Sequence, residues 1–211
     1  MALKPIVIET ACLANWQIAA MYRLMQKHYH NVDRLEFEDD LAEKNWTVLL
    51  IEETGAKIKG FSTQMVFEHR YGDDVLPIFF SGDTIIDSNH WGSQVLPITV
   101  ARLMQHVRSE CPDKKLYWML ISKGFRTYRY LPAFFNSFYP RYDRPTPLWE
   151  TGLINSLGRR KFADRYDAHK GVVAPSGHSQ SLKKEFTILS KAHQSNPHVQ
   201  FFLQANPGFR L

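Results

Sequence analysis

The apolar positions change period several times along the chain, and each change marks an element. Pro5–Thr10 alternates loosely, as a first strand does. Ile18, Met21, Tyr22, Met25 and Tyr29 then recur at spacings of three and four. That spacing predicts a helix from about Trp16 to His30, with Asn15 as its cap. Asp33 caps a second, acidic helix ending near Lys44, with Phe37 and Leu41 inward. Trp46–Glu53 reads as a second strand, Thr54–Lys57 as a tight turn and Ile58–Arg70 as a third strand. Gly60, Ser62, Gln64 and Val66 share one face of that strand, and Phe61, Thr63, Met65 and Phe67 share the other.

After a turn at Tyr71–Asp74 comes the stretch on which the chain is organised. Leu76–Ile86 is a long run rich in β-branched and aromatic residues, and it predicts a strand. Asp87–Gln94 is polar and turn-forming. From Val95 the period becomes helical, with Leu96, Val100, Leu103, Met104 and Val107 on one face. A helix that starts beside a strand end gathers free N–H groups and a positive dipole end, so this unit can hold an anion. Cys111-Pro112-Asp113 stops the helix. Leu116–Ser122 is a fifth strand, and an aromatic helix is expected over Tyr128–Tyr139, with Pro132 in its first turn.

Beyond Pro140 the pattern changes. Arg141–Pro147 is a loop, Leu148–Tyr166 a helix, and Ala174–Gly177 a flexible linker. Ser181 can cap a helix from Leu182 to about His193, and Asn196-Pro197 breaks it. Val199–Gln204 is expected to be a final strand returning to the sheet. This divides the chain into a core, residues 1–142, and a C-terminal helical addition, residues 143–211.

The 211 residues are 44% hydrophobic and 22% charged, a normal balance for a globular protein. Cys12 and Cys111 stand far apart and form no redox or metal motif, so both read as buried thiols in a reducing compartment. The first residues lack the apolar core of a leader, and no apolar run approaches ~20 residues. A cytoplasmic protein that does not span a membrane is the expectation. His28 and His30 fall at a helix end, where cations suit the dipole, and no further ligands stand at metal spacing, so no metal is expected. No P-loop, dinucleotide fingerprint or nucleophile triad is present.

The net charge is +5, with basic residues gathered in Lys123–Arg144 and Gly158–Lys170. They read as solvated surface or as a docking face for phosphates. Residues 123–130 interleave cations and rings: Lys123, Phe125, Arg126, Tyr128, Arg129 and Tyr130. Such a segment can bind single-stranded nucleic acid, line a pocket, or divide into core rings and surface arginines. Asp83 lies inside an apolar strand and alternates with Phe79, Ser81 and Ile85. A carboxylate there is a general base poised by burial, or a capping or paired group. Glu68 and His69, at the end of the third strand, are a second choice of base or an exposed strand end.

The order strand, helix, helix, three strands, helix, strand, helix resembles the GCN5-related N-acetyltransferase (GNAT) superfamily over about Pro5–Tyr142. That resemblance implies an α+β fold with a mixed, mostly antiparallel sheet and helices on both faces. It implies that the loop and helix after the long strand hold the pyrophosphate of acetyl-CoA or another acyl-CoA. It also implies a fifth strand that splays to admit the pantetheine. The family's loop reads arginine or glutamine, two residues, glycine, one residue, glycine or alanine. Here Trp91 takes the arginine's place, Gly92 matches one glycine of the fuller pattern, and Gln94 and Leu96 replace small residues. Phe135 takes the place of the family's proton-donating tyrosine, with Tyr139-Pro140 where glycine-phenylalanine is usual. The chain thus resembles a divergent member with a degraded phosphate loop.

By the resemblance, Ile85, Ile86, Trp91, Gly92, Ser93, Gln94, Val95 and Arg126 would bind the cofactor. Asp83 or Glu68 would take a proton from an amine or similar small acceptor. Tyr128, Tyr130 or Tyr139 would protonate the leaving thiolate. The implied activity is acyl transfer from acyl-CoA, with a small-molecule acceptor as partner and a homodimer as one assembly it allows. One alternative is a non-catalytic GNAT-fold binding module, for single-stranded RNA through residues 123–130. Another is an acyl-chain enzyme that uses a different thioester carrier.

Overall fold

A computed structural model describes residues 2–54, 57–174 and 180–210. The middle of the expected Thr54–Lys57 turn and most of the Ala174–Gly177 linker lie outside the described residues. The chain packs as two compact units, 1–121 and 122–211. The division falls just after the fifth strand of the sheet, earlier than the loop beyond Pro140 suggests.

The first unit is a five-stranded sheet in the order β1-β3-β4-β5-β6. Its strands are β1 (Leu3–Glu9), β3 (Trp46–Glu52), β4 (Ile58–Tyr71), β5 (Asp74–Ile86) and β6 (Tyr117–Leu120), and a two-residue β2 (Tyr29–His30) follows the first helix. All neighbours pair antiparallel except β5 and β6, which are parallel and joined by the helix α3 (Val95–Glu110). A parallel pair needs such a crossover. The fold is therefore α+β with a mixed, mostly antiparallel sheet, as the order of elements implies.

Helices cover both faces. On one, α1 (Asn15–His28) and α2 (Arg34–Ala42) bring Met21, Leu24, Met25, Phe37 and Leu41 onto Leu49, Phe61 and Ile85. On the other, Leu96, Val100, Leu103 and Val107 of α3 pack on Val48, Leu50, Phe79 and Ile86. The spacings of three and four along each helix place these residues on one stripe. Local chemistry shifts some boundaries. Asn15 is the first helical residue rather than the cap, and Gln17 closes the end by accepting the Ala14 N–H at 2.8 Å. The helix stops at His28, because Tyr29 is already extended with φ −121°. Cys12 is exposed, contrary to the buried thiol expected, because it ends a surface turn after β1. Cys111 is half-buried, its Sγ 3.3 Å from the Val107 carbonyl.

The second unit departs more from the periodic reading. The aromatic helix is two short pieces, α4 (Phe125–Tyr128) and α5 (Tyr130–Phe134), and α6 spans Leu148–Phe162. A small hairpin follows, β7 (Tyr166–Asp167) with β8 (Val172–Val173). The strand β9 (Ser181–Leu182), a 3-10 turn at Lys184–Phe186 and the short α7 (Lys191–Gln194) replace the expected long helix. The expected final strand is a helix, α8 (Pro197–Ala205). Asn196 caps it by accepting the N–H groups of His198 and Val199 at 3.0 and 3.2 Å, and Pro197 sits where a helix tolerates proline. Asn-Pro is thus a start here and not a break. Val199 and Phe202, one turn apart, join Phe125, Tyr128 and Phe138 in this unit's core.

Gly60 makes the centre of the sheet tight. A Cβ there would stand 2.9 Å from the Ile85 carbonyl oxygen, which is backbone and cannot swing aside. Gly60→Ala is expected to lower unfolding stability by about 1–3 kcal/mol, the usual cost of overpacking. Urea denaturation of the variant beside the parent measures it.

Candidate active site

The site is built around an irregularity in β5. Ser62 of β4 pairs with Thr84, but Gln64 pairs with Ser81. Two residues of β5, Gly82 and Asp83, therefore stand opposite Thr63 alone, which is a β-bulge. The cores agree with this count. Phe79 packs under α3, whereas Ile85 packs under α1 and α2, though an even spacing should leave them on one face. Asp83 thus lies across the sheet from Phe79 and Ser81, contrary to the simple alternation. β6 follows β5 only from Ile78 to Ser81. Past the bulge, among the described residues, β5 is paired with β4 alone as far as Ile86.

On the α3 face a buried chain of polar groups crosses three strands. The Trp118 indole N–H donates to Ser81 Oγ at 2.8 Å, and Ser81 donates to Gln64 Oε1 at 2.6 Å. Gln64 Nε2 donates to Ser62 Oγ at 2.7 Å, and the Ser62 and Thr84 hydroxyls are 2.7 Å apart. Thr84 donates at 3.4 Å to the Gly82 carbonyl, inside the bulge. Each hydroxyl accepts one bond and donates the next, so the chain runs in one direction. Gln64 is wholly buried and its amide is satisfied at both ends.

The opposite face of the bulge looks toward α1 and α2. Burial raises the Tyr29 phenol far above its ordinary range, and the Asp83 charge adds to that shift. Lys44, just after α2, buries its whole side chain here. Its Nζ donates to the Asp40 carbonyl and lies 2.9 Å from Asp40 Oδ1. A Cβ at Gly82 would stand 2.6 Å from Thr63 Oγ1 and 2.8 Å from Lys44 Cε. Glycine lets those two chains lie against the bulge.

After β5, Asp87 anchors the loop. It is buried, donates its N–H to the Lys59 carbonyl at 2.7 Å, and accepts the Asn89 N–H at 3.1 Å. Lys27 Nζ reaches Asp87 Oδ2 at 2.7 Å. Burial alone would raise this carboxyl, but Lys27, the Asn89 N–H and the Lys59 charge together hold it below the usual carboxylate range. Trp91 donates its indole N–H to the Ile86 carbonyl at 2.9 Å. Gly92 has φ +91°, and the space where its Cβ would be is open. Ser93 N–H donates to the His90 carbonyl, and Val95 N–H reaches Ser93 Oγ at 3.4 Å. Gln94 precedes α3 with no capping side chain, and the first turn of α3 carries no acid. Ile85 and Ile86 are buried in opposite cores, so their side chains are not offered to a ligand.

Glu68 is placed elsewhere. It pairs with Pro77 near the start of β5, is exposed, and receives Lys114 Nζ at 3.1 Å. His69 is buried opposite Leu76. In the second unit the Tyr128 hydroxyl donates to the Pro140 carbonyl at 3.1 Å. Burial pushes that phenol up to about 12. Tyr130 is half-buried against Phe134, and Tyr139 is half-buried before Pro140. Arg126 donates to the Phe186 carbonyl at 2.7 Å and lies over the Phe125 ring. Phe125 and Tyr128 are core residues, so the interleaved segment presents neither ring for stacking on bases.

No family model and no curated protein matches the chain. Among solved structures it is similar to a mutant of the BH1408 protein from Bacillus halodurans. The TM-score is 0.50 at 13% identity, over 68% of this chain and 99% of that one. A Trypanosoma brucei acetyltransferase aligns with TM-score 0.47 at 12% identity, over 69% of this chain and 100% of that one. The glucosamine-6-phosphate N-acetyltransferase of Arabidopsis thaliana aligns with TM-score 0.45 at 15% identity, over 68% of this chain and 99% of that one. The likeness is one of fold.

The sequence reading gave no site role to Ser62, Gln64, Ser81, Thr84, Lys44 or Asp87. A glycine inside a strand is itself a bulge signal. Small polar residues on one face of a central strand are another trace of such a network.

Asp87 gives the acid limb of stability a definite sign. Its carboxyl is held lower in the folded chain than in the unfolded one, so its contribution is present above the unfolded value. It is lost as pH falls through the folded value. Asp87→Asn is expected to be less stable than the parent at pH 7. The difference should shrink as pH falls below about 4, which denaturant titrations at a series of pH values would measure.

Proposed function

We propose that the chain is an acyltransferase-like protein that moves an acyl group from acyl-CoA to an amine or similar small acceptor. The observation that carries this reading is the parting of β5 from β6 after Ser81. Beyond that point β5 runs past a bulge bearing a carboxylate and leads directly into a loop and a long helix. Backbone groups that a neighbouring strand would otherwise satisfy can there serve a bound chain.

The residues present fit a coenzyme in part. Gln94 makes no capping bond at the start of α3, and no acid in its first turn competes with an anion. The open, positive-φ backbone at Gly92 allows close approach. Trp91 supplies no cation, so backbone groups of Gly92–Val95 would hold the pyrophosphate. Bound acyl-CoA would supply the activated acyl thioester. Asp83, beside Tyr29, would take the proton that an ammonium acceptor must lose before it can attack. The burial of Phe125 and Tyr128 favours this reading over an RNA-binding module.

Acetyl-CoA is expected to raise the melting temperature of the purified chain. At ~100 times its dissociation constant, a ligand of the native state alone adds about 2.7 kcal/mol. No shift and no calorimetric heat at millimolar acetyl-CoA would remove the assignment.

Gly92→Val is expected to weaken coenzyme binding in calorimetric titration. It should also cost about 1–2 kcal/mol of stability, because a branched residue is strained at positive φ. Equal affinity in variant and parent would place the phosphates elsewhere.

A further inference from the structure

The two cores require one inserted residue somewhere between Phe79 and Ile85, because those residues seal opposite faces. They do not say where. An insertion moved by one residue, onto Asp83 and Thr84, would leave Phe79, Ile85 and Ile86 on their present faces. It would bring the Asp83 side chain around toward α3, away from Tyr29. What separates these alternatives is the polar chain from Trp118 to Gly82.

We propose that this hydrogen-bond relay positions Asp83, and that Ser62 and Thr84 are its deciding members. The proposal rests on the acyl-transfer reading for its functional meaning and on the structure alone for its geometry. At one end Ser81 is tied to Gln64 and, through the Trp118 indole, to β6. At the other, Thr84 is tied to Ser62 across the strand pair. Between them lie only Gly82 and Asp83, so the extra residue has one place to go. The direction of the relay adds a second restraint. Thr84 gives its proton to the Gly82 carbonyl, so the Ser62 hydroxyl must be the donor between the two. That holds the Gly82–Asp83 peptide by its carbonyl from the α3 side. The Asp83 side chain leaves on the other side, where its charge acts on Tyr29. Gly82 itself faces that side, as Thr63 and Lys44 against it attest. Two successive residues on one face are the mark of a bulge.

The test uses the full chain in solution NMR, with Thr84→Val, Ser62→Ala and the conservative Thr84→Ser. The readouts are cross-strand contacts for Ser62–Thr84 and Phe61–Ile85, and the pH midpoint of the Asp83 carboxyl carbon. In Thr84→Val the Ser62–Thr84 register should be lost while Phe61–Ile85 persists. The Asp83 midpoint should then move by at least about 0.5 unit as the carboxyl changes surroundings. Thr84→Ser keeps a hydroxyl and should match the parent. Ser62→Ala, the milder lesion, keeps the test open if Thr84→Val does not fold. An Asp83 midpoint unchanged in the broken variants overturns the proposal. Where the parent acylates an amine, the broken variants should lower kcat with the KM for acyl-CoA retained. A parent that fails to bind acyl-CoA defeats the functional reading only, and the NMR arm still decides whether the relay positions Asp83.

Discussion

A regular strand would put Phe79 and Ile85 on one side of the sheet. In this chain they close two different cores, and the extra residue at Gly82–Asp83 reconciles them. Much else follows from that insertion. It re-aims a carboxylate out of the apolar alternation. It coincides with the end of β6 pairing, so the sheet opens just where the side chain is turned. Without the insertion, either Ile85 or Phe79 would face the wrong helices. Burying a large apolar side chain stabilises by about 1.5–3 kcal/mol, which measures how firmly the irregularity is held.

The bulge is gripped from both faces by different chemistry. Toward α3 the grip is a directional set of neutral hydrogen bonds among buried groups. Toward α2 it is a lysine with no exposed side-chain surface, packed against a glycine and bonded back to Asp40. A buried ammonium is costly to keep unless paired, and the Asp40 carbonyl and carboxylate supply the partners. Lys44 thereby ties the C-terminal end of α2 to the irregular part of β5. Neutral groups on one side and a paired charge on the other hold the same backbone.

The elements of the first unit were legible because their periods are strong. Met21, Met25, Leu96, Val100 and Leu103 announce helical faces, and the apolar run from Leu76 announces a central strand. The bulge was not legible by alternation, since Asp83 falls in phase with Phe79 and Ser81 on paper. Only pairing with β4 reveals the added residue. Glu68, the second choice of base, lies at the far end of β4, where register places it opposite Pro77. In the second unit short segments misled. Val199–Gln204 has a strand-like composition, yet Asn196 and Pro197 start a helix there, and packing of Val199 and Phe202 overrides propensity. For residues 123–130 the choice between core rings and exposed ones stayed open because a sequence shows composition and not direction; Phe125 and Tyr128 turn into the core.

β1 is the outer strand of the sheet and leaves much of its length in water, with Ile6 and Val7 both exposed. Such a margin invites growth of the sheet by other chains. Lys4 and Pro5 stand beside those two residues. Proline withholds an amide hydrogen from any incoming strand, and the lysine ammonium would lose its water on docking. The same margin that closes the fold on one side is thus a poor template for aggregation.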